Sequence, residues 1–177
     1  MIEDVVQTIL DNGLKVLTLE KHTAEVVTCW AWYRVGSRNE RPGITGISHW
    51  VEHMLFKGGV RFKKGEVFKE IARCGGYNNG FTSTDYTAYF ETLPADQIDL
   101  GLRIEADRMA YATFDPPEVE SERTVIISER EGAENYPQFL LDEEMKATAF
   151  HLHPYQWSVI GSKSDLNSMT RDDLVGY

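Results

Sequence analysis

Two histidines and a glutamate stand close together in the run Ser48-His49-Trp50-Val51-Glu52-His53. On a helix, residues four apart lie one turn apart on the same face, so His49 and His53 can bind one metal ion together. Imidazole and carboxylate ligands suit zinc, and His-x-x-Glu-His is the inverted zinc-hydrolase motif. A zinc ion activates water, and Glu52 is placed to take its proton as a general base. The alternative is that both histidines are surface residues of an amphipathic helix, but their apolar neighbours disfavour full solvation.

A catalytic zinc needs a third protein ligand and one open position. A later helix, which begins at Asp115-Pro116-Pro117-Glu118, carries five glutamates that could supply it: Glu120, Glu122, Glu129, Glu131 and Glu134. Glu122 and Glu129 lie two turns apart on one face, with Val125 and Ile126 between them. Carboxylates beside an apolar stripe are costly to bury unless a metal or another group pairs with them. We therefore favour Glu129 as the ligand and expect Glu131 and Glu134 to be solvated.

The surrounding pattern predicts strands first and helices later, which indicates an α+β fold with a mostly antiparallel sheet packed by helices. Strands are expected at about 5–10, 14–19, 25–35, 77–82 and 86–93, and helices at about 44–56, 64–74, 97–111, 115–134, 137–150 and around 172–174. Both faces of the third strand are largely apolar, so we expect it to be central and covered on both sides. There is no internal repeat or linker, and residues 1–177 are expected to form one domain.

Composition narrows the classes of partner. The formal charge of the 177 residues is −10, which disfavours nucleic acid and anionic membranes. No apolar stretch approaches a membrane span, and the first ten residues carry no signal peptide, so we expect a cytoplasmic protein without a membrane anchor. Cys29 and Cys74 belong to no CxxC pair and are expected to be buried thiols.

Four motifs, in this order, resemble the pitrilysin–insulinase family of zinc peptidases, which includes the mitochondrial processing peptidases. They are GISHWVEHMLFKG at 46–58, GGYNNGFTS at 75–83, ERTVIISE at 122–129, and HPY with VIG at 153–161. The resemblance covers nearly the whole chain and implies that domain fold. Gly80 replaces the family's usual alanine, and Ser128 stands where many members have a second glutamate.

The resemblance assigns roles to individual residues. His49, His53 and Glu129 would bind one zinc ion per chain, and Glu52 would be the general base. Glu122 would be a supporting carboxylate that orients a metal ligand. Asn79 and Phe81 match the edge strand on which family members bind a peptide as an additional strand. Without the resemblance, the alternative is that Asn79 is a turn residue in Asn78-Asn79-Gly80.

The resemblance implies a zinc-dependent endopeptidase that acts on unfolded or medium-length peptides. A family domain continues with further strands, and a complete enzyme has a second such half, in the same chain or in a partner subunit. We therefore expect a C-terminally incomplete domain that binds zinc but is weak or inactive alone, with an exposed edge that could drive homodimerisation. The rival interpretations are a non-catalytic subunit or peptide-binding module of the same fold, and a zinc hydrolase for a non-peptide substrate.

Overall fold

The computed structural model describes residues 4–177 and contains two antiparallel sheets. The first is a hairpin of β1 (Val5–Ile9) and β2 (Lys15–Leu19). Its connection uses Gly13 at φ 85°, a left-handed conformation that glycine adopts without strain. The Asn-Gly pair therefore predicted this hairpin correctly.

The second sheet has three strands: β3 (Val26–Tyr33), β4 (Tyr77–Thr82) and β5 (Thr87–Pro94). β5 lies in the middle and pairs antiparallel with both neighbours, in the order β3-β5-β4. Among the described residues, β4 therefore has one edge without a strand partner.

The prediction that the third strand is central and covered on both sides is wrong for the described chain. β3 pairs only with β5, and Trp30 and Trp32 on its outer face are 42% and 56% exposed. These rings cover one another instead, since Trp30 stacks on Trp32 at 5.4 Å and on Phe90 at 4.3 Å between ring centroids. An aromatic strand face gives the same sequence pattern whether another layer or its own neighbours shield it.

Seven α-helices are formed by the described residues: α1 (Ile47–Met54), α2 (Glu66–Arg73), α3 (Ile98–Tyr111), α4 (Pro116–Glu134), α5 (Pro137–Ala149), α6 (Lys163–Ser168) and α7 (Arg171–Gly176). Each of the first five lies where the sequence predicts a helix. The start of α4 differs in detail, because Pro116 occupies its first turn but the Asp115 side chain accepts no capping hydrogen bond. The architecture is α+β, with an antiparallel sheet packed by helices, as predicted.

The helix α1 is anchored in the larger of two hydrophobic clusters. Ile47, Trp50 and Met54 are completely or almost completely buried, and they pack with residues of α4, α6 and α7 and with the turn after α6: Val119, Ile126, Leu166, Met169 and Leu174. A second cluster lies between α2, α3 and β5. Full burial of one large apolar side chain contributes about 1.5–3 kcal/mol, so the apolar face of α1 holds the opposite face rigidly in position.

In the described residues, no helix combines the length and apolarity that crossing a membrane would need.

Candidate metal centre

His49 and His53 lie on the face of α1 that is turned away from its hydrophobic cluster. Their Nε2 atoms are 3.1 Å apart, and both imidazoles are largely buried. Glu129, in the fourth turn of α4, brings Oε2 to 3.6 Å from His53 Nε2 and 3.9 Å from His49 Nε2. One ligand atom from each of the three residues therefore lies within 4.8 Å of the other two. The structure thus brings the three sequence-predicted ligands to one point.

The spacing of these atoms fits a small tetrahedral metal ion. Zinc–nitrogen and zinc–oxygen bonds of about 2.0–2.1 Å at tetrahedral angles place neighbouring ligand atoms about 3.3 Å apart. The three separations between ligand atoms, 3.1, 3.6 and 3.9 Å, lie around that value. Two imidazoles and one carboxylate leave a fourth position free, which is the donor set of a catalytic rather than a structural zinc site.

Glu122 controls which nitrogen of His53 is available. Its Oε1 accepts a hydrogen bond of 2.9 Å from His53 Nδ1, and its other oxygen pairs with Lys57. Burial alone would raise the pKa of Glu122, but the bonds from Lys57 and His53 outweigh it and hold the pKa below its usual value. The ionised carboxylate keeps the proton of His53 on Nδ1, so the Nε2 lone pair faces His49 and Glu129.

Glu52 is buried beside the two histidines. Its Oε2 accepts a hydrogen bond of 3.0 Å from Thr82 Oγ1 at the end of β4. Burial raises its pKa, and the bond from Thr82 and the nearby His53 only partly oppose that effect. A carboxylate with a raised pKa is a stronger base, which suits a group that must accept a proton near neutral pH.

The environment of His49 favours the neutral imidazole that a metal requires. Burial, followed by the nearby His53, lowers its pKa from 6.5 to about 4. The His49 imidazole is therefore uncharged at neutral pH, so a metal ion bound there would not have to compete with a positive charge on the ring.

This burial gives a pH dependence for the metal-free chain. As the pH falls from about 6.5 to about 4, His49 of the unfolded chain gains a proton while the folded imidazole stays neutral, so the unfolded state is favoured. The difference in pKa corresponds to at most about 3 kcal/mol. We expect chelator-treated His49→Gln to lose less stability than the unsubstituted chain between about pH 7 and pH 4 in urea unfolding. Parallel losses in the two chains would contradict a buried neutral His49.

Two cavities share three lining residues, Glu52, His53 and the β4 residue Asn79. One, of about 410 Å³, has the rings of Phe56 and Phe68 in its wall. The other, of about 600 Å³, contains His49 and Glu129 and is bounded by α5 and by the 158–160 segment. Asn79 lines both cavities and Phe81 lines the second, so the two predicted substrate-binding residues lie beside the metal centre.

The structure also corrects part of the argument for the third ligand. Glu122 is buried as that argument required, but the Glu129 side chain is 44% exposed and Val125 is exposed too. The cost of burial therefore applies to Glu122 and not to Glu129.

Cys29 and Cys74 are free thiols, as expected, but they are only half-buried.

Several residues at the site were not predicted. They are Lys57, which pairs with Glu122, Thr82, which binds Glu52, and the cavity residues Phe56, Phe68, Phe139, Asp142 and Lys146. Lys57, Phe56 and Thr82 lie inside the motifs at 46–58 and 75–83, which was a usable signal. The α5 residues carry no such signal, because only the tertiary fold brings that helix to the site.

Comparison with known proteins identifies a family and several relatives of this chain. Residues 15–163 match the family model described as insulinase, peptidase family M16. A zinc protease of Helicobacter pylori, PqqE, is 37% identical over 171 residues, which are 95% of this chain and 38% of that protein. A probable mitochondrial-processing peptidase subunit beta of Arabidopsis thaliana is 32% identical over 96% of this chain and 32% of that protein. The crystal structure of a protease from Helicobacter pylori superposes with a TM-score of 0.94 at 34% identity, over 98% of this chain and 42% of that one.

The fold and these relatives show that the chain has the fold of a peptidase domain. It belongs to the insulinase family of peptidases, family M16. The chain spans less than half the length of each of these relatives.

Proposed function

We propose that the chain is the zinc-binding catalytic domain of an endopeptidase that cleaves unfolded or medium-length peptides. The observation that carries this proposal is the convergence of His49, His53 and Glu129 on one point, with the buried carboxylate of Glu52 beside it. When bound there, zinc supplies a Lewis acid that makes water acidic and polarises a carbonyl group. Residues 1–177 would act as one domain of the inverted His-x-x-Glu-His type.

Residues of the chain itself carry out the other steps of the proposed reaction. Glu52 accepts the proton of the attacking water and delivers it to the leaving amine. Glu122, anchored by Lys57, holds the His53 ring in its ligand tautomer. The edge of β4 that has no strand partner within residues 4–177, with Asn79 and Phe81 at the cavities, accepts the peptide as an additional strand.

A second half completes the proposed enzyme. The relatives are more than twice as long as the matched region, and both cavities are open to solvent. We infer that another part of a longer chain, or a partner subunit, closes over the site. The chain alone is accordingly expected to bind zinc but to hydrolyse peptides poorly.

Zinc binding is the direct test of the proposal. We expect one zinc ion per chain by metal analysis after gel filtration. Glu129→Gln removes a ligand charge and is expected to abolish retention of zinc, whereas Glu122→Gln weakens binding by about 10–100-fold and keeps the ion at high protein concentration. Glu131→Gln on the same helix is the matched control and should behave like the unsubstituted chain.

Absence of zinc from the unsubstituted chain would contradict the proposed function. Equal retention by Glu129→Gln and by the control would exclude Glu129 as a ligand and leave the site with two histidines. Loss of zinc only from Glu122→Gln would reverse the roles of the two glutamates.

A further inference from the structure

The helix that carries the metal centre does not cap its own N-terminus. The first N–H groups of a helix have no partner within it and normally bind a side chain at the capping position. In α1 that position is Gly46, at φ 90° and without a side chain. A Cβ atom there would come within 2.5 Å of the carbonyl oxygen of Ile160, so the packing of the 160–161 segment excludes a capping serine or aspartate.

Glu40 takes over this role from outside the helix. Its Oε2 accepts a hydrogen bond of 2.8 Å from the Gly46 N–H, and its Oε1 accepts one of 3.0 Å from the Ser48 N–H. The residue is 4% exposed and lies in the loop that leads from β3 to α1. Both carboxylate oxygens therefore bind backbone donors at the positive end of the helix dipole, where negative charge is most favourable.

The position of these two donors connects Glu40 to the metal centre. α1 is only eight residues long, and His49, Glu52 and His53 all lie on it. Ser48, whose N–H Glu40 holds, immediately precedes His49. If the first turn of a two-turn helix is not held in helical geometry, side chains one turn apart no longer keep a fixed distance and orientation. The contact of 3.1 Å between the two imidazoles depends on that relation.

We propose that Glu40 is a positioning residue that fixes the first turn of α1 and thereby holds His49 in register with His53. The inference rests on the proposed function, since it concerns the same metal centre. Glu40 touches neither histidine and acts on His49 only through the backbone.

Asp165, which lies in α6, provides a matched comparison because it binds the same loop. Its Oδ2 accepts hydrogen bonds from Gly43 N, from Thr45 N and from Thr45 Oγ1, at 3.1, 3.0 and 2.6 Å. Like Glu40, it is a carboxylate that binds several donors, but it holds the segment before α1 and no residue of the helix. Asp165→Asn therefore tests the effect of loosening this segment without releasing the helix.

The experiment compares Glu40→Gln with Asp165→Asn by zinc competition against a chromophoric chelator and by the visible spectrum of the cobalt-substituted chain. Measurements are made at about pH 8 so that Glu40 is ionised. Burial raises the pKa of Glu40 to about 7, although its two backbone hydrogen bonds act in the opposite direction. Urea unfolding confirms that both variants are folded. We expect Glu40→Gln to bind zinc about tenfold more weakly with an altered cobalt spectrum, and Asp165→Asn to stay within about twofold of the unsubstituted chain.

Unchanged zinc affinity and cobalt spectrum in Glu40→Gln would overturn the inference, and so would an equal loss in Asp165→Asn. Failure of the proposed function has a different signature, because the unsubstituted chain would then bind no zinc. Amide hydrogen exchange of the metal-free chains decides the inference in that case. Faster exchange confined to α1 in Glu40→Gln supports it, and unchanged exchange there refutes it.

Discussion

Replacement of Glu52 by glutamine is expected to abolish peptide hydrolysis while zinc stays bound. Glutamine has the shape of glutamate and can still accept the hydrogen bond from Thr82, so the packing around α1 should persist. It cannot accept a proton from water, and general base catalysis is worth about 10²–10⁴-fold in rate. The loss should appear as a fall in kcat for an unfolded, fluorescence-quenched peptide, with one zinc ion per chain retained.

The assay is made with the chain alone and with a longer chain that includes a second half. The expected weak activity of the isolated chain would otherwise hide the effect. Glu131→Gln, which changes the same functional group on the exposed side of α4, is the control. Hydrolysis by Glu52→Gln at the unsubstituted rate would exclude Glu52 as the base, and loss of zinc from this variant would give it a structural role instead.

Replacement of Arg108 by methionine is expected to destabilise the chain by about 3–5 kcal/mol. The Arg108 side chain is 2% exposed, pairs with Glu105 and lies 3.5 Å from Glu91 Oε1, whose side chain is 0% exposed. Burial, and then the charge on Glu105, raise the pKa of Glu91 to about 9, so Glu91 is protonated at neutral pH, and Arg108 pairs with Glu105. Methionine preserves much of the volume over the Tyr89 ring but leaves Glu105 without a counter-ion.

Urea unfolding distinguishes this charge effect from a packing effect. The double variant Arg108→Met/Glu105→Leu removes both charges, and we expect it to recover most of the lost stability, because apolar replacements of buried ion pairs are often neutral. Arg73→Met is the control, since its pair with Glu70 is exposed and worth at most about 1 kcal/mol. A single variant no less stable than this control, or a double variant no better than the single, would contradict the prediction.

The parts of the structure that depend on neighbouring residues in the chain could be predicted from the sequence. The Asn-Gly turn predicted the β1–β2 hairpin, and Pro116 and Pro137 marked the starts of α4 and α5. The spacing of His49 and His53 placed both on one helix face, because that relation is set within a single turn.

The parts of the structure that depend on contacts between residues distant in the chain could not be predicted from the sequence. Whether the aromatic face of β3 is covered, and whether Val125 faces the core, are decided by which element packs against them. The role of Glu40 had no local signal either, since it follows from a fold that brings a loop carboxylate to a helix whose capping residue is glycine. The ligand role of Glu129 came from the family resemblance as much as from its helix, and it stays a prediction that metal analysis can test.

The three proposed ligands differ in their access to solvent, and this difference sets the route by which an ion exchanges. His49 and His53 are embedded in the protein and held on one short helix, whereas the Glu129 carboxylate is open to water. A departing ion would therefore break its bond to Glu129 first and remain on the two imidazoles until water or a chelator completes its shell. The lifetime of the bound ion would then be governed by rotation of a single glutamate side chain, so anything that covers that side chain would slow metal exchange without altering a ligand.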